Sequence, residues 1–394
     1  MAPPAAQTTT LQTSERLPSE VSLVVDRSPP TTQTAIVQIA KGSSTELPLV
    51  VNRSAPVPKL PSEHHLLIRV LAVALNPNDH KMVTHFDMPG SIAGCDFCGV
   101  VEKAGDPTSA SAARFPRGTR VCGALFSYNP DDPENGAFAQ WVVADSRLLV
   151  KVPDFWTDVE AASLGVGWST LCLAFSDPNA LGLEGLPSKP SHESKEPVLV
   201  YGGGTASGTL ACQLLTLMGY TPIAIASPKS AALAKEYGAA ETASYTSKDC
   251  VEVVKALAKK PIRYVLDCIT DAESVAICYS AMARTGGKYA CLEECPEAWR
   301  TRRAIQVKEV MGFQVLGVDI NLGESTYTRP ADEKLMEIGM QWAREIQLLM
   351  ESGRIRAHPL RELRNGWENI IGGLELLRKG EVRGEKLVAR IPQD

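Results

Sequence analysis

No apolar run in this 394-residue chain approaches the ~18 residues that a membrane-spanning helix needs. Clusters of Lys and Arg are missing too. With a formal net charge of −5, nothing suggests nucleic acid or an anionic surface as a partner. The start, Met1-Ala-Pro-Pro-Ala-Ala-Gln7, lacks the basic-then-apolar pattern of a secretory leader. The ten cysteines are scattered through apolar stretches rather than regularly spaced, which speaks against a disulfide framework. Reduced, buried thiols and a cytoplasmic location are therefore expected. At 44% hydrophobic and 22% charged residues the chain is an ordinary globular one, and its length implies two domains.

What is present is concentrated at residues 196–210. Val198-Leu-Val-Tyr201 reads as a buried strand, Gly202, Gly203, Gly204 and Gly208 as a turn, and Leu210, Leu214 and Met218 as the apolar stripe of a helix. Strand, glycine turn and helix form a phosphate-binding corner: the glycines admit a pyrophosphate, whose charge meets the helix N-terminus. The next strand, residues 220–226, is followed by Ser227, Pro228, Lys229 and Ser230. An NAD site carries an acid about 20 residues after the glycines, to bind the ribose 2′-hydroxyl. None stands there. A cation between two hydroxyls suits a 2′-phosphate, so NADPH is the expected cofactor. The competing reading of Lys229 is a solvated residue at a helix start.

Residues 1–33, rich in Thr, Ser and Pro, read as a disordered tail. Short strand-like segments separated by turn residues fill 34–195 and suggest a small barrel or sandwich. Asp158 is placed to cap one helix running through Phe175. From 196 to 335 strands and helices alternate, which means a doubly wound parallel sheet and an α/β fold. Its strands are expected at 198–201, 221–226, 262–267, 287–292 and 312–318. Two helices, near 332–350 and 365–378, and a closing strand at 386–391 make up a segment, 336–394, that returns to the first domain.

This order, together with Ala74-Leu-Asn-Pro-Asn-Asp-His-Lys81, Gly94-Cys-Asp-Phe-Cys-Gly-Val-Val101, Arg117-Gly-Thr-Arg-Val121, Asn135-Gly-Ala-Phe-Ala-Gln-Trp141 and Gly384-Glu-Lys-Leu-Val388, resembles the medium-chain dehydrogenase/reductase superfamily. The resemblance implies a GroES-like β-barrel domain joined to a Rossmann domain. Within that superfamily the chain is most similar to the trans-acting enoyl reductases of fungal polyketide pathways, and it shares motifs with quinone reductases.

The zinc-dependent members hold their metal with Cys, His and Cys. By the resemblance those positions fall near Asn76, at Cys95 and near Leu164-Gly165, so one possible ligand remains of three. No zinc is expected. Hydride addition to the β-carbon of an unsaturated thioester needs no Lewis acid, but it needs a donor near the nascent enolate oxygen and a proton for the α-carbon. The resemblance makes Lys81 the first catalytic candidate and Thr170 the second. The competing readings are an exposed lysine on a short helix and a hydroxyl bonded within its own helix.

Further contacts follow from the resemblance. Asn78, Asp79, His80 and Lys81 would border the cofactor, Asp79 more as a cap and His80 turned away from Lys81. Gly204, Thr205, Ala206 and Ser207 would line the pyrophosphate. Tyr245 would neighbour the adenosine phosphate, Leu292 and Glu293 the nicotinamide, and Val382 and Arg383 would cover the cofactor. The acyl pocket would be formed by Leu171, Cys172, Leu173, Ala174 and Phe175, and by Gly312, Phe313, Gln314, Val315 and Leu316. The implied partner is the acyl carrier protein of a polyketide synthase, met by a basic rim of Arg300, Arg302, Arg303 and Lys308. A monomer is expected, with residues 319–330 folded over the 312–318 edge. An NADPH quinone or enone reductase and a non-catalytic NADPH-binding protein stay open as alternatives.

Overall fold

In the computed structural model, residues 29–40, 45–191 and 195–393 are described. The chain divides into Met1–Pro30 and Thr31–Asp394, and every element below lies in the second unit. The expected tail falls almost wholly outside the described residues. Its boundary moves slightly, because the first strand already begins at Thr32.

The first half contains β1 (Thr32–Gln38), β2 (Leu49–Pro56), β3 (His65–Ala74), α1 (Pro77–His85), β4 (Asp96–Ala104), α2 (Ala110–Arg114), β5 (Arg120–Ala124), β6 (Trp141–Asp145), β7 (Val150–Lys151), α3 (Asp158–Ala162) and α4 (Gly165–Ser176). β1 and β2 form an antiparallel pair. β3 is the hub of the larger sheet, pairing antiparallel with β4 and with β6. The single helix expected from Asp158 is two helices. Thr157, not Asp158, caps the first, and Glu160 completes the capping box. The stretch Asp158–Ser176 is long and apolar enough to cross a membrane by length and composition alone, yet 78% of it is buried inside the fold, as in a core helix.

The second half alternates as expected: β8 (Pro197–Tyr201), α5 (Ala206–Leu217), β9 (Thr221–Ala226), α6 (Ala231–Glu236), β10 (Glu241–Ser244), α7 (Cys250–Ala258), β11 (Tyr264–Asp267), α8 (Ala272–Ala281), β12 (Gly287–Cys291) and β13 (Ile305–Glu309). The sheet order is β10-β9-β8-β11-β12-β13, all parallel. β8 is buried at every position, as a central parallel strand must be. The crevice at its carboxyl end, where strand order reverses between β8 and β11, is the ligand-binding switch point of such sheets.

The strand expected at 312–318 does not form. Gly312–Leu316 is a 3₁₀ turn, and the edge strand is β13 instead. The apolar letters of the turn serve packing: Val315 is buried against Gly339 of α9 (Glu333–Glu351). After β14 (Leu360–Glu362) and α10 (Trp367–Arg378), β15 (Lys386–Arg390) returns to pair antiparallel with β3. All ten cysteines are free, nine of them buried.

Candidate functional site

β3 delivers the chain to Asn76, which caps α1 with Pro77 at its first position. The Asp79 carboxylate accepts the Asn76 backbone N–H at 2.7 Å, which turns Asp79 into the interior. Burial pushes its carboxyl up to about 7, and Asp79 Oδ1 has no partner among the described residues. His80 sits between Lys81 and the Arg378 and Glu375 charges of α10, and burial pushes it down to about 4. Asp79 is fully enclosed and His80 lies beside charges of α10, in keeping with a cap and a ring turned from Lys81. Asn78 also turns inward, donating to Cys95 Sγ at 3.4 Å. Only Lys81 reaches out of this turn, and it forms an ion pair with Glu293, just beyond the end of β12. Two residues expected at the nicotinamide thus meet across the two halves of the molecule.

Beneath α1 lies a cluster that local sequence reading missed. Lys386 of β15 donates to Asp96 Oδ2 at 2.7 Å, to Asn76 Oδ1 at 3.0 Å and to the Ser163 carbonyl at 2.9 Å. Asn76 Nδ2 bonds the same Asp96 oxygen at 2.9 Å, and the other oxygen accepts the Val166 N–H at 2.5 Å. One buried ion pair thereby fixes both the start of α1, which carries Lys81, and the start of α4, which carries Thr170. Asp96 and Lys386 stand 290 residues apart, so no local pattern joins them.

Asn76, Cys95 and Leu164, the positions that the resemblance sets against zinc ligands, lie at or beside this cluster. Its donors here are an amide, a carboxylate already held by an ammonium, and the Cys95 thiol, which burial pushes well up. Among the described residues no group of three or more His, Cys, Asp or Glu is arranged to hold a metal ion. The residues do not fit zinc.

At the glycine corner Gly202 has φ +81°, where glycine is favoured. A Cβ on Gly208 would lie 2.2 Å from the Gly202 carbonyl, so only glycine lets α5 approach β8 this closely. Thr205 caps α5, accepting the Gly208 N–H at 3.0 Å. The N–H groups of Ala206 and Ser207, in the first turn, have no intrahelical acceptor and remain for an anion. Gly204 lies against Ser230, where a Cβ would come within 2.3 Å of the serine Cβ. Ser227 donates to Ser230 at 3.1 Å, and Lys229 is exposed with no ion pair to any described residue. Tyr245 stacks beside Tyr201 at 6.2 Å. Helix N–H groups, two hydroxyls and an unpaired ammonium form a donor set that fits a dinucleotide phosphate.

The substrate-side expectations fare unevenly. Leu171, Cys172, Leu173, Ala174 and Phe175 are between 0 and 3% exposed inside the main core. They contribute to packing there, and their expected role in lining an acyl pocket stays a proposal. Thr170 is 9% exposed, and its Oγ1 faces Gly312, where a Cβ would approach to 2.4 Å. Gln314 and Val315 are buried, while Gly312, Phe313 and Leu316 are half-buried. Leu292 is bound to Asp267 and Thr270 through its N–H. Val382 packs on the first-half core and Arg383 is exposed. Most of the expected basic rim is engaged within the chain. Arg300 is bound to the Cys295 carbonyl and Glu309, Arg302 to three backbone carbonyls, and Lys308 lies 3.6 Å from Asp177. Arg303 alone of the four is exposed without a partner among the described residues.

A barrel-type half and a dinucleotide half, meeting at Lys81 and Glu293, define a medium-chain dehydrogenase/reductase. Residues 62–154 match the alcohol dehydrogenase GroES-like domain, and residues 206–292 match the zinc-binding dehydrogenase domain. The chain belongs, more narrowly, to the trans-enoyl reductases. It is 74% identical over 392 residues to the trans-enoyl reductase calK of Penicillium decumbens, covering 98% of this chain and 99% of that one. It is 53% identical to the trans-enoyl reductase sthE of Phaeosphaeria nodorum, over 85% of this chain and 91% of that one. Among solved structures, an alcohol dehydrogenase superfamily protein from Novosphingobium aromaticivorans shares the fold (TM-score 0.69, 20% identity, 92% of this chain and 100% of that one). So does a quinone oxidoreductase of Pseudomonas syringae pv. Tomato DC3000 (TM-score 0.66, 21% identity, 91% and 100%).

Proposed function

We propose that this protein is an NADPH-dependent, trans-acting enoyl reductase of secondary metabolism, which saturates the α,β-double bond of a polyketide thioester presented on a synthase's acyl carrier protein. Its similarity to trans-enoyl reductases supports the activity. The observation that carries the chemistry is the meeting of Lys81 and Glu293 across the two halves of the molecule. NADPH, when bound, supplies the hydride that adds to the β-carbon. Ala206 and Ser207 offer N–H groups to the pyrophosphate, while Lys229, Ser227 and Ser230 hold the 2′-phosphate. Lys81 donates to the thioester oxygen as enolate charge develops and is the proton source for the α-carbon, directly or through water. Glu293 holds the ammonium in place until substrate arrives. Thr170, through its hydroxyl, is the second candidate donor.

No metal takes part in this scheme. The free, buried thiols support a reducing cytoplasm. A monomer is retained on a different footing: the edge strand is β13, and Arg329, in the segment that follows the 3₁₀ turn, lies 3.7 Å from Glu309 of that edge, which supports residues 319–330 lying beside it rather than another copy. The test is NADPH oxidation with enoyl thioesters on a carrier protein, beside crotonyl thioester and free quinones. Turnover of the thioesters supports the reading. Turnover of quinones alone, unaffected by any carrier, would replace it with the quinone-reductase reading.

A further inference from the structure

β11 ends on a carboxylate that is buried and occupied on both oxygens. Asp267 is 0% exposed. Its Oδ1 accepts the N–H groups of Ile269 and Thr270, each at 2.9 Å. Its Oδ2 accepts the hydroxyls of Ser274 at 2.6 Å and Tyr289 at 2.7 Å. Four donors on one carboxylate fix the turn 268–270, and they hold it in a form that its sequence resists. Thr270 has φ +61°. Tyr128 and Lys259 are the other non-glycine residues with positive φ among the described residues, and Thr270 alone of the three is β-branched. A branched side chain in the left-handed region costs free energy, and such strain persists only where the surroundings impose it.

The turn has a neighbour on each side. On one side it lies over the glycine corner, where a Cβ on Gly202 would meet Ile269 Cγ1 at 3.1 Å and Cys268 Cβ at 3.3 Å. On the other it holds the end of β12. The Thr270 hydroxyl accepts the Leu292 N–H at 3.3 Å and donates to the Asp267 carbonyl at 3.3 Å. That carbonyl accepts the same Leu292 N–H at 3.2 Å. The next residue is Glu293, the partner of Lys81. Glycine would adopt this φ without strain, but it has no hydroxyl to offer the Leu292 N–H. The strained threonine thus gives up some stability and gains a fixed start to the Leu292-Glu293 segment.

We propose that Thr270, held by Asp267, is a positioning residue for the reduction: its hydroxyl sets the backbone at Leu292, and through it the place of Glu293 and of Lys81. The inference rests on the enoyl-reductase reading, so the wild type is first tested on crotonyl thioester. Turnover at saturating NADPH is then measured for Thr270→Gly, Thr270→Ser, Glu293→Gln and the double variant Thr270→Gly/Glu293→Gln. NADPH affinity is followed by fluorescence titration and stability by urea denaturation. Thr270→Gly should be at least as stable as the wild type and bind NADPH equally well, yet lose about tenfold in kcat, within the roughly hundredfold that misplacing a catalytic group can cost. Thr270→Ser, which keeps the hydroxyl, should recover most of that loss. In the Glu293→Gln background, Thr270→Gly should remove little more, because the two residues act through one contact. Wild-type kcat in Thr270→Gly overturns the proposal. So does an equal loss in Thr270→Ser, or the full tenfold loss repeated in the Glu293→Gln background. Weakened NADPH binding in Thr270→Gly also overturns it and assigns the turn to the cofactor's seat. Failure of the wild type to reduce crotonyl thioester counts against the enoyl-reductase reading itself.

Discussion

Replacing Lys386 by methionine removes the ammonium from a site where its side chain is 5% exposed and that of Asp96 is not exposed at all. Asp96 would keep the Asn76 amide and the Val166 N–H but would have no counter-charge. Breaking a buried pair from one side costs about 3–5 kcal/mol, since the remaining charge can neither reach water nor find a partner. Pairing the substitution with Asp96→Asn removes that charge too, so the double variant should regain a large part of the loss, about 2 kcal/mol or more. Urea denaturation followed by tryptophan fluorescence suits the measurement, because Trp168 lies in the first turn of α4, beside the Val166 N–H that Asp96 holds. The reasoning also reaches the active site. Asp96 anchors the starts of α1 and α4, so Lys386→Met should lower turnover under conditions where the protein stays folded. A Lys386→Met protein within 1 kcal/mol of the wild type, or a double variant no more stable than the single one, would refute the account.

Other expectations can be checked separately. Lys229→Glu should weaken NADPH binding by about 1.5–3 kcal/mol and leave NADH nearly unaffected, as read by fluorescence titration; equal losses for both would remove the 2′-phosphate from this site. Lys81→Met should lower kcat with an enoyl thioester by roughly a hundred- to ten-thousand-fold, the range for a lost proton donor, while NADPH still binds. Asp79 is raised from 3.8 to about 7, so the folded state holds its proton more tightly than the unfolded chain does. The stability that this gives is complete below the unfolded value and is lost as pH rises through the folded one. Relative to the wild type, Asp79→Asn should therefore gain about 3 kcal/mol between pH 4.5 and pH 8, measured by denaturation at each pH. Light scattering should return a single mass near 42.4 kDa at all concentrations, and a constant doubled mass would exclude the monomer.

The parts of this fold legible in the sequence are those dictated by local patterns. Val198-Leu-Val-Tyr201 had to be a central strand because four consecutive apolar residues followed by glycines leave few other options. The closing strand at 386–391 was legible too, and it forms as β15 (Lys386–Arg390), paired with β3. What was illegible depends on tertiary partners. Gly312-Phe-Gln-Val-Leu-Gly-Val318 has the composition of a strand, but β13 takes the sheet edge and leaves this segment to pack on α4 and α9 as a 3₁₀ turn. Leu171 to Phe175 look equally suited to a pocket and to a core, and their burial in the main core is a tertiary fact that no local pattern gives. Lys81 and Glu293 were each picked out singly, while their pairing needed the fold. The Asp96–Lys386 pair gave no local signal, because each residue reads alone as one more charge in a strand.

The central claim is hydride transfer from NADPH to a carrier-bound enoyl thioester at Lys81. Its most direct test is a single-turnover reaction of the protein with deuterium-labelled NADPH and an enoyl thioester loaded on an acyl carrier protein, with the product read by mass spectrometry and NMR. The account predicts one deuterium on the β-carbon, a solvent-derived proton on the α-carbon, and loss of the reaction in Lys81→Met. An unreduced thioester, a label found elsewhere than the β-carbon, or full activity in Lys81→Met would contradict it.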